Sequence, residues 1–200
     1  MWRRYIFLLS LLTLHLTACQ DDEENYPSII TEFVDVLSNA DGRLIRFTTD
    51  HGQTYQVTNS IDGFDPNAVY RAVCGYVPEE DSYATIYQLL NVALLRDSTL
   101  VLRRDHIRLH SVWSAGSYIN MQLAPLGQGG RQYWGYAIDS ITSRHVHLSL
   151  HHNQHGDPTS YTQNVYASIY VKHIEGYHAG DSISLAISTF DGIRHYTFVP

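Results

Sequence analysis

Beyond residue 106, hydrophobic and polar positions alternate with a period of two. Ile119, Met121 and Leu123, then Val146, Leu148 and Leu150, then Val165, Ala167, Ile169 and Val171, then Ile183, Leu185 and Ile187 are each interleaved with polar residues. Successive side chains of a strand point to opposite faces, so runs of this kind bury one face of a sheet. With the stretches 109–113, 132–141 and 193–199 they predict about seven strands and no helix, the count and spacing of a β-sandwich.

The first half is less regular but equally strand-like. Apolar or β-branched runs occupy 29–37, 44–49, 54–58, 69–77 and 84–95. Their separators are turn chemistry: Asn39-Ala40-Asp41-Gly42, Asp50-His51-Gly52, the stretch 61–67 and Pro78-Glu79-Glu80-Asp81. Five short strands fit a closed barrel of the OB type, which leaves no exposed sheet edge. Residues 84–95 also satisfy helical spacing through Ile86, Leu89, Leu90 and Ala93, and a strand is the expectation adopted. The predicted fold class is all-β, a small OB-like barrel over 28–103 followed by a β-sandwich domain over 106–200, with polar Leu102-Arg103-Arg104-Asp105-His106 as the boundary.

The amino terminus reads differently. Met1-Trp2-Arg3-Arg4 precedes an apolar stretch from Tyr5 to Leu16 and then Thr17-Ala18-Cys19, the charged, hydrophobic and small-residue order of a secretory signal. The apolar run is shorter than the roughly 20 residues that span a bilayer. Its ending resembles the bacterial lipoprotein signal, which predicts a signal peptide over 1–18 and lipidation of Cys19. An acidic tether over 19–27, carrying Asp21-Asp22-Glu23-Glu24, cannot pack and must be solvated. This run resembles the export signal that sends Bacteroidota lipoproteins to the outer face of the outer membrane. The expected location is therefore the outer membrane, lipid-anchored, at the cell surface, with the membrane as a partner through the amino-terminal lipid.

Composition narrows the function classes. The whole chain carries 13 basic and 20 acidic residues, a net charge of −7. Removal of residues 1–18 leaves 11 basic residues against the same 20, or −9. Lys172 is the sole lysine and no basic cluster follows the leader, so nucleic acid is not an expected partner. Once Cys19 is acylated, Cys74 has no cysteine to pair with, and its apolar surroundings make it a small buried hydrophobe.

Ten of the 12 histidines lie between His106 and His195. Period two puts His145, His147, Ser149 and His151 on one face of a strand, and imidazoles at i and i+2 can share a zinc or copper ion. His145, His147 and His151 are thus candidate metal ligands, set against a solvated histidine-rich face with no Glu or Cys at metalloenzyme spacing. No cofactor is expected. His152-Asn153-Gln154-His155-Gly156-Asp157-Pro158 reads as a turn, and Gly127-Gln128-Gly129-Gly130, followed by a strand, as a flexible hairpin loop. No nucleophile elbow appears, and no catalytic residue is assigned. Tyr118, Asn120 and Gln122 should face outward from their strand, and with Tyr133 and Trp134 they form the candidate ligand-binding set. Aromatic rings beside amides suit a sugar or a peptide.

Ser111-Val112-Trp113, Tyr118 to Leu123, Gln132-Tyr133-Trp134-Gly135, Leu148 to Gln154 and Phe190-Asp191-Gly192 resemble the carboxyl-terminal β-domain of the NigD-like lipoproteins. Ile30 to Asp35, Phe47-Thr48-Thr49-Asp50 and Arg71 to Tyr76 are similar to their amino-terminal OB-like domain. The resemblance implies a lipoprotein of gut or oral Bacteroidota with these two domains. The expected function is a non-catalytic, lipid-anchored envelope protein that binds a peptide, a glycan or a neighbouring surface protein. A bacteriocin-immunity-type role, suggested by the operon after which the family is named, is one alternative. A histidine-rich metal-binding protein is another.

Overall fold

The structure, a computed structural model, describes residues 27–98 and 103–200. The leader, Cys19 and the acidic run lie outside the described residues. Every long element is a strand, and among the described residues the only helical pieces are two three-residue 3-10 turns.

Five strands build the first lobe: β1 (Ile30–Ser38), β2 (Leu44–Thr49), β3 (Thr54–Val57), β4 (Val69–Pro78) and β5 (Tyr83–Leu95). Pairing runs β3-β2-β1-β4-β5, and two residue pairs between β3 and β5 return the sheet to its start, the ring order of the expected barrel. Val34, Val36, Leu44, Phe47, Cys74, Tyr76 and Ala84 fill its interior. Phe47, Tyr55 and Tyr76 pack ring on ring with centroids 4.7–5.3 Å apart. Cys74 is buried, and burial pushes its thiol up to about 12, so it stays protonated and inert.

Residues 84–95 lie within the 13-residue strand β5 rather than a helix. Ala84 and Ile86 point into the barrel, and the strand outlasts it: residues Val92–Leu95 pair in parallel with β12 (Val165–Tyr170). The barrel sheet thus runs on through β12 and β7 (Tyr118–Ala124) to end at β6 (Arg108–Ala115). The units expected over 28–103 and 106–200 share this one strand.

The second sheet of the sandwich is β14 (Gly192–Phe198), β13 (Ser182–Thr189), β10 (His145–Asn153) and β9 (Tyr133–Thr142), in that order. Ile119, Met121 and Leu123 from one sheet meet Val146, Leu148, Leu150, Ile183, Leu185 and Ile187 from the other, all nearly inaccessible. These are the residues that the alternation selects. A two-residue ladder between β8 (Leu126–Gly127) and β11 (Tyr161–Thr162) crosses one end and has no counterpart in the sequence pattern.

Candidate functional site

The barrel packs on the sandwich sheet through residues that point outward from β1 and β4. Phe33, Val73 and Val92 are buried there beside Leu90, Trp113 and Tyr166. Phe33 meets Trp113 and Tyr166 edge to face, with centroids 5.2 and 5.9 Å apart.

One charged group lies inside this joint. The Arg71 side chain is 2% exposed and donates to the Asp50 carboxylate at 2.7 Å, to Asp35 at 3.2 Å, to Asn120 Oδ1 at 3.0 Å and to Ser168 Oγ at 3.4 Å. Tyr118 lays its ring 3.8 Å from the guanidinium carbon and donates its hydroxyl to Asp35 at 2.9 Å. Asn120 donates to Asp50 at 2.7 Å and accepts from Ser168 at 2.7 Å. Burial raises the Asp50 carboxyl above its ordinary value, opposed by the Arg71 guanidinium and the Asn120 hydrogen bond. Burial, then the Asp35 charge, also raises the Tyr118 phenol, so it remains a donor.

This corrects the outward reading of β7. Asn120 is fully buried, because the barrel covers the face that would otherwise be solvated. It serves the joint, as does Tyr118. Gln122 does reach a hollow of about 390 Å³ at the mouth of the joint, walled by Phe33, Trp113 and Tyr166 and edged by Glu32, Asp50 and His51. The hairpin joining β6 to β7 completes the approach: Gly116 has φ +55°, and a Cβ there would lie 2.5 Å from the Asp50 carbonyl oxygen.

Tyr133 and Trp134 are elsewhere, at the ladder-capped end of the sandwich. Trp134 stacks on His152 with centroids 4.1 Å apart, and Tyr133 meets the edge of His155. His152 Nε2 lies 2.9 Å from Gln132 Oε1, and burial lowers its pKa, favouring the neutral ring. Gln132 donates in turn to Asp157 at 2.9 Å. The glycine loop is no free hairpin: Gln128 N–H donates to Asp157 at 3.0 Å, and a Cβ on Gly130 would lie 2.8 Å from that carboxylate. The Gln132 hydrogen bond, then those from the loop backbone, hold the Asp157 carboxyl below its usual range. The expected turn at Asn153 to Asp157 is present: Asn153 Oδ1 accepts from His155 N–H, and Gly156 has φ +77°. The loop and the turn are thus two halves of one internally bonded cap.

The histidine face divides. His145 and His147 stack in parallel 4.3 Å apart, and His145 Nε2 lies 2.7 Å from Ser184 Oγ. Their in-plane nitrogens therefore do not converge on one point. His151 is buried and accepts from Arg104 Nε at 3.3 Å. Among the described residues no group of three or more His, Cys, Asp or Glu side chains is placed to hold a metal ion.

Sequence reasoning missed Arg71, Asp35, Asp50 and Phe33. A signal was available: Arg71 is the one charge in the ten residues of β4 and Asp35 stands between Val34 and Val36, positions where a charge requires a buried partner.

The fold is thus a two-lobed all-β protein, an OB-like barrel whose sheet continues into a β-sandwich. Residues 92–199 match the NigD-like C-terminal beta sandwich domain, more than half of the chain, and the chain belongs to that family. No curated protein matches it. A NigD-like immunity protein from Bacteroides caccae is similar over 88% of this chain and 99% of its own, at 24% identity and a TM-score of 0.70. A Parabacteroides distasonis protein provisionally described as toxin-related aligns over 86% and 92%, at 14% identity and 0.69. A Bacteroides fragilis protein provisionally described as a lipoprotein aligns over 86% and 96%, at 11% identity and 0.62. At these identities the likeness is one of fold.

Proposed function

We propose that the protein is a non-catalytic binding module, held at the outer membrane surface by acylated Cys19, and that the hollow at the joint receives a sugar ring of an envelope or host glycan. The observation that carries this is the lining of that hollow. Trp113 and Tyr166 are half-buried aromatic walls, and Gln122, Glu32 and His51 supply donors and acceptors at the rim. A sugar ring has an apolar face to stack and hydroxyls at its edge, and a space of about 390 Å³ suits a small ligand. Of the ionisable groups with shifted pKa values, Asp50 at the edge of the hollow is held by Arg71, and Asp157 and His152 are bonded to Gln132 in the cap.

The test is a glycan array probed with the full chain in detergent, followed by titration of any hit. Trp113→Ala and Gln122→Ala should each weaken the hit at least about tenfold. A hit that survives both substitutions, or an array without any hit, would sink the reading. For the location, protease added to intact cells should degrade the protein, and Cys19→Ala should prevent lipidation. A protein degraded only after lysis is not on the surface.

The relative described as an immunity protein supports a second reading, interception of a bacteriocin-like toxin at the membrane. Deletion in a strain that carries the cognate toxin operon should then raise toxin sensitivity. Unchanged sensitivity would remove this reading.

A further inference from the structure

The two sheets of the sandwich end on one side at β6 and β14, each of which has a single strand neighbour. They approach each other at their near ends, where Ile107, just before β6, donates to Ser188 at 3.2 Å and bridges Thr189, the last residues of β13 before the turn into β14. From there a hollow of about 550 Å³ lies between them, lined in part by Leu109 and Arg108 on one side and Phe190 and Arg194 on the other.

The two edges are not equivalent. The register of β6 on β7 is broken by a bulge at His110, which blunts that edge as a template. The register of β14 on β13 is unbroken from Ile183↔Phe198 to Thr189↔Gly192. Alternate residues of this seven-residue strand therefore present their backbone donors and acceptors on the far side without a further strand. Arg194 lies opposite Ile187, Tyr196 opposite Leu185 and Phe198 opposite Ile183, which places these three side chains on the core-facing row. Tyr196 and Phe198 are only partly covered, and Phe190, in the turn before β14 at the Arg194 end, is 51% exposed.

We propose that the free edge of β14 takes an extended peptide segment of a partner protein, added as a fifth strand. The inward residues of that segment are apolar opposite Phe198 and Tyr196 and acidic opposite Arg194. Cross-strand neighbours stand about 5 Å apart, so the added strand would roof the open core and place its carboxylate against the guanidinium. Arg194 supplies the selectivity. A cation or an apolar residue opposite it would be penalised, while its present ion pair with Asp191, at 3.5 Å and with both side chains more than half exposed, is worth little and is readily exchanged. Hydroxyl-rich and imidazole side chains, Thr197 and His195, face the opposite, solvated side of the strand.

This site is separate from the hollow at the joint, and its test is independent of it. The probe is a capped, fluorescein-labelled heptapeptide, Thr-Val-Thr-Val-Thr-Asp-Thr, titrated against the full chain in detergent and read by anisotropy. It should bind, and the same peptide with Lys for Asp should bind at least about tenfold more weakly. Arg194→Glu should reverse that order. Two further peptides, N-methylated on alternate residues in the two possible phases, remove the hydrogen bonds of one edge each, so one should lose binding and the other keep it. Equal binding of the Asp and Lys peptides, undiminished binding of both methylated peptides, or no binding of the Asp peptide overturns the proposal. So does sedimentation showing that the chain itself pairs through β14, which would make the occupant a second copy.

Discussion

The two edges of the sandwich are finished in opposite ways. At the joint, β5 belongs to both lobes, and Tyr136 of β9 exchanges backbone hydrogen bonds with Arg96 and Ser98 just beyond it. There the basic group, Arg71, is buried and held by two carboxylates, an amide and a ring. At the far edge β6 and β14 do not pair, the nearest bridge being that of Ile107 to Thr189 at the end of β13, and the basic groups Arg108 and Arg194 stay at the rim in water. A buried charge accepts few arrangements of its partners, so the joint fixes how the lobes sit. A solvated charge can exchange partners, so the far edge is left free to recognise something.

The largest effect should come from cutting the charge out of the joint. Arg71→Met leaves Asp50 without its cation and should lower stability by about 3–5 kcal/mol, whereas Arg194→Met should stay within about 0.5 kcal/mol. Urea unfolding of both variants tests the contrast, and similar losses would erase it. Next in size is Gly116→Ala, which combines a left-handed backbone with a Cβ driven against Asp50. A loss of about 1–3 kcal/mol is expected, read as a lower urea midpoint with unchanged slope.

Much of this architecture is legible in the sequence because a strand buried on one face must alternate. Among the described residues the 12 strands of more than two residues lie where apolar or β-branched runs fall, and the family follows from motifs within them. Alternation names two faces without saying which is wet. Asn120 follows the rule and is still buried, because its face is covered by residues 49 and 70 positions earlier in the chain, Arg71 and Asp50. The length of β5 was visible, yet its second role depends on β12, about 70 residues later. The cap escaped notice for a similar reason. Gly127 and Gly130 are small because Asp157 fills the space in front of them, a cause that lies outside the loop itself.

The cap and the joint should also part company in their response to pH. His152 is held below its free value of 6.5, so the unfolded chain takes up a proton first, and stability should fall as pH drops below about 6.5 until the folded ring is protonated too. Asp157 is held below 3.8, so its contribution is intact above that value and is lost as pH falls through the lower folded pKa. Asp50 acts in the opposite sense. Its folded pKa is raised, so the folded chain binds the proton first and acidification toward 3.8 offsets part of the loss. Urea midpoints from pH 7 to pH 5 should decline in the unaltered protein and decline less in His152→Gln. An equal decline in both would show that another group controls this range.

The smallest effect expected is the one that bears most on recognition. Phe190 is half exposed, stacks loosely on His106 with centroids 5.9 Å apart, and stands where two hollows meet. Nothing in the core rests on it, so Phe190→Ser should change the unfolding free energy by no more than about 0.5 kcal/mol. An exposed aromatic ring at the mouth of an open edge has already incurred its contact with water, and covering about half of it on binding would contribute about 1–2 kcal/mol. Binding of the Asp-bearing probe peptide should therefore weaken about tenfold in this variant while its thermal midpoint stays in place. A fall in stability with unchanged binding would make Phe190 a part of the sandwich core and reduce the difference between the two edges to one of exposure alone.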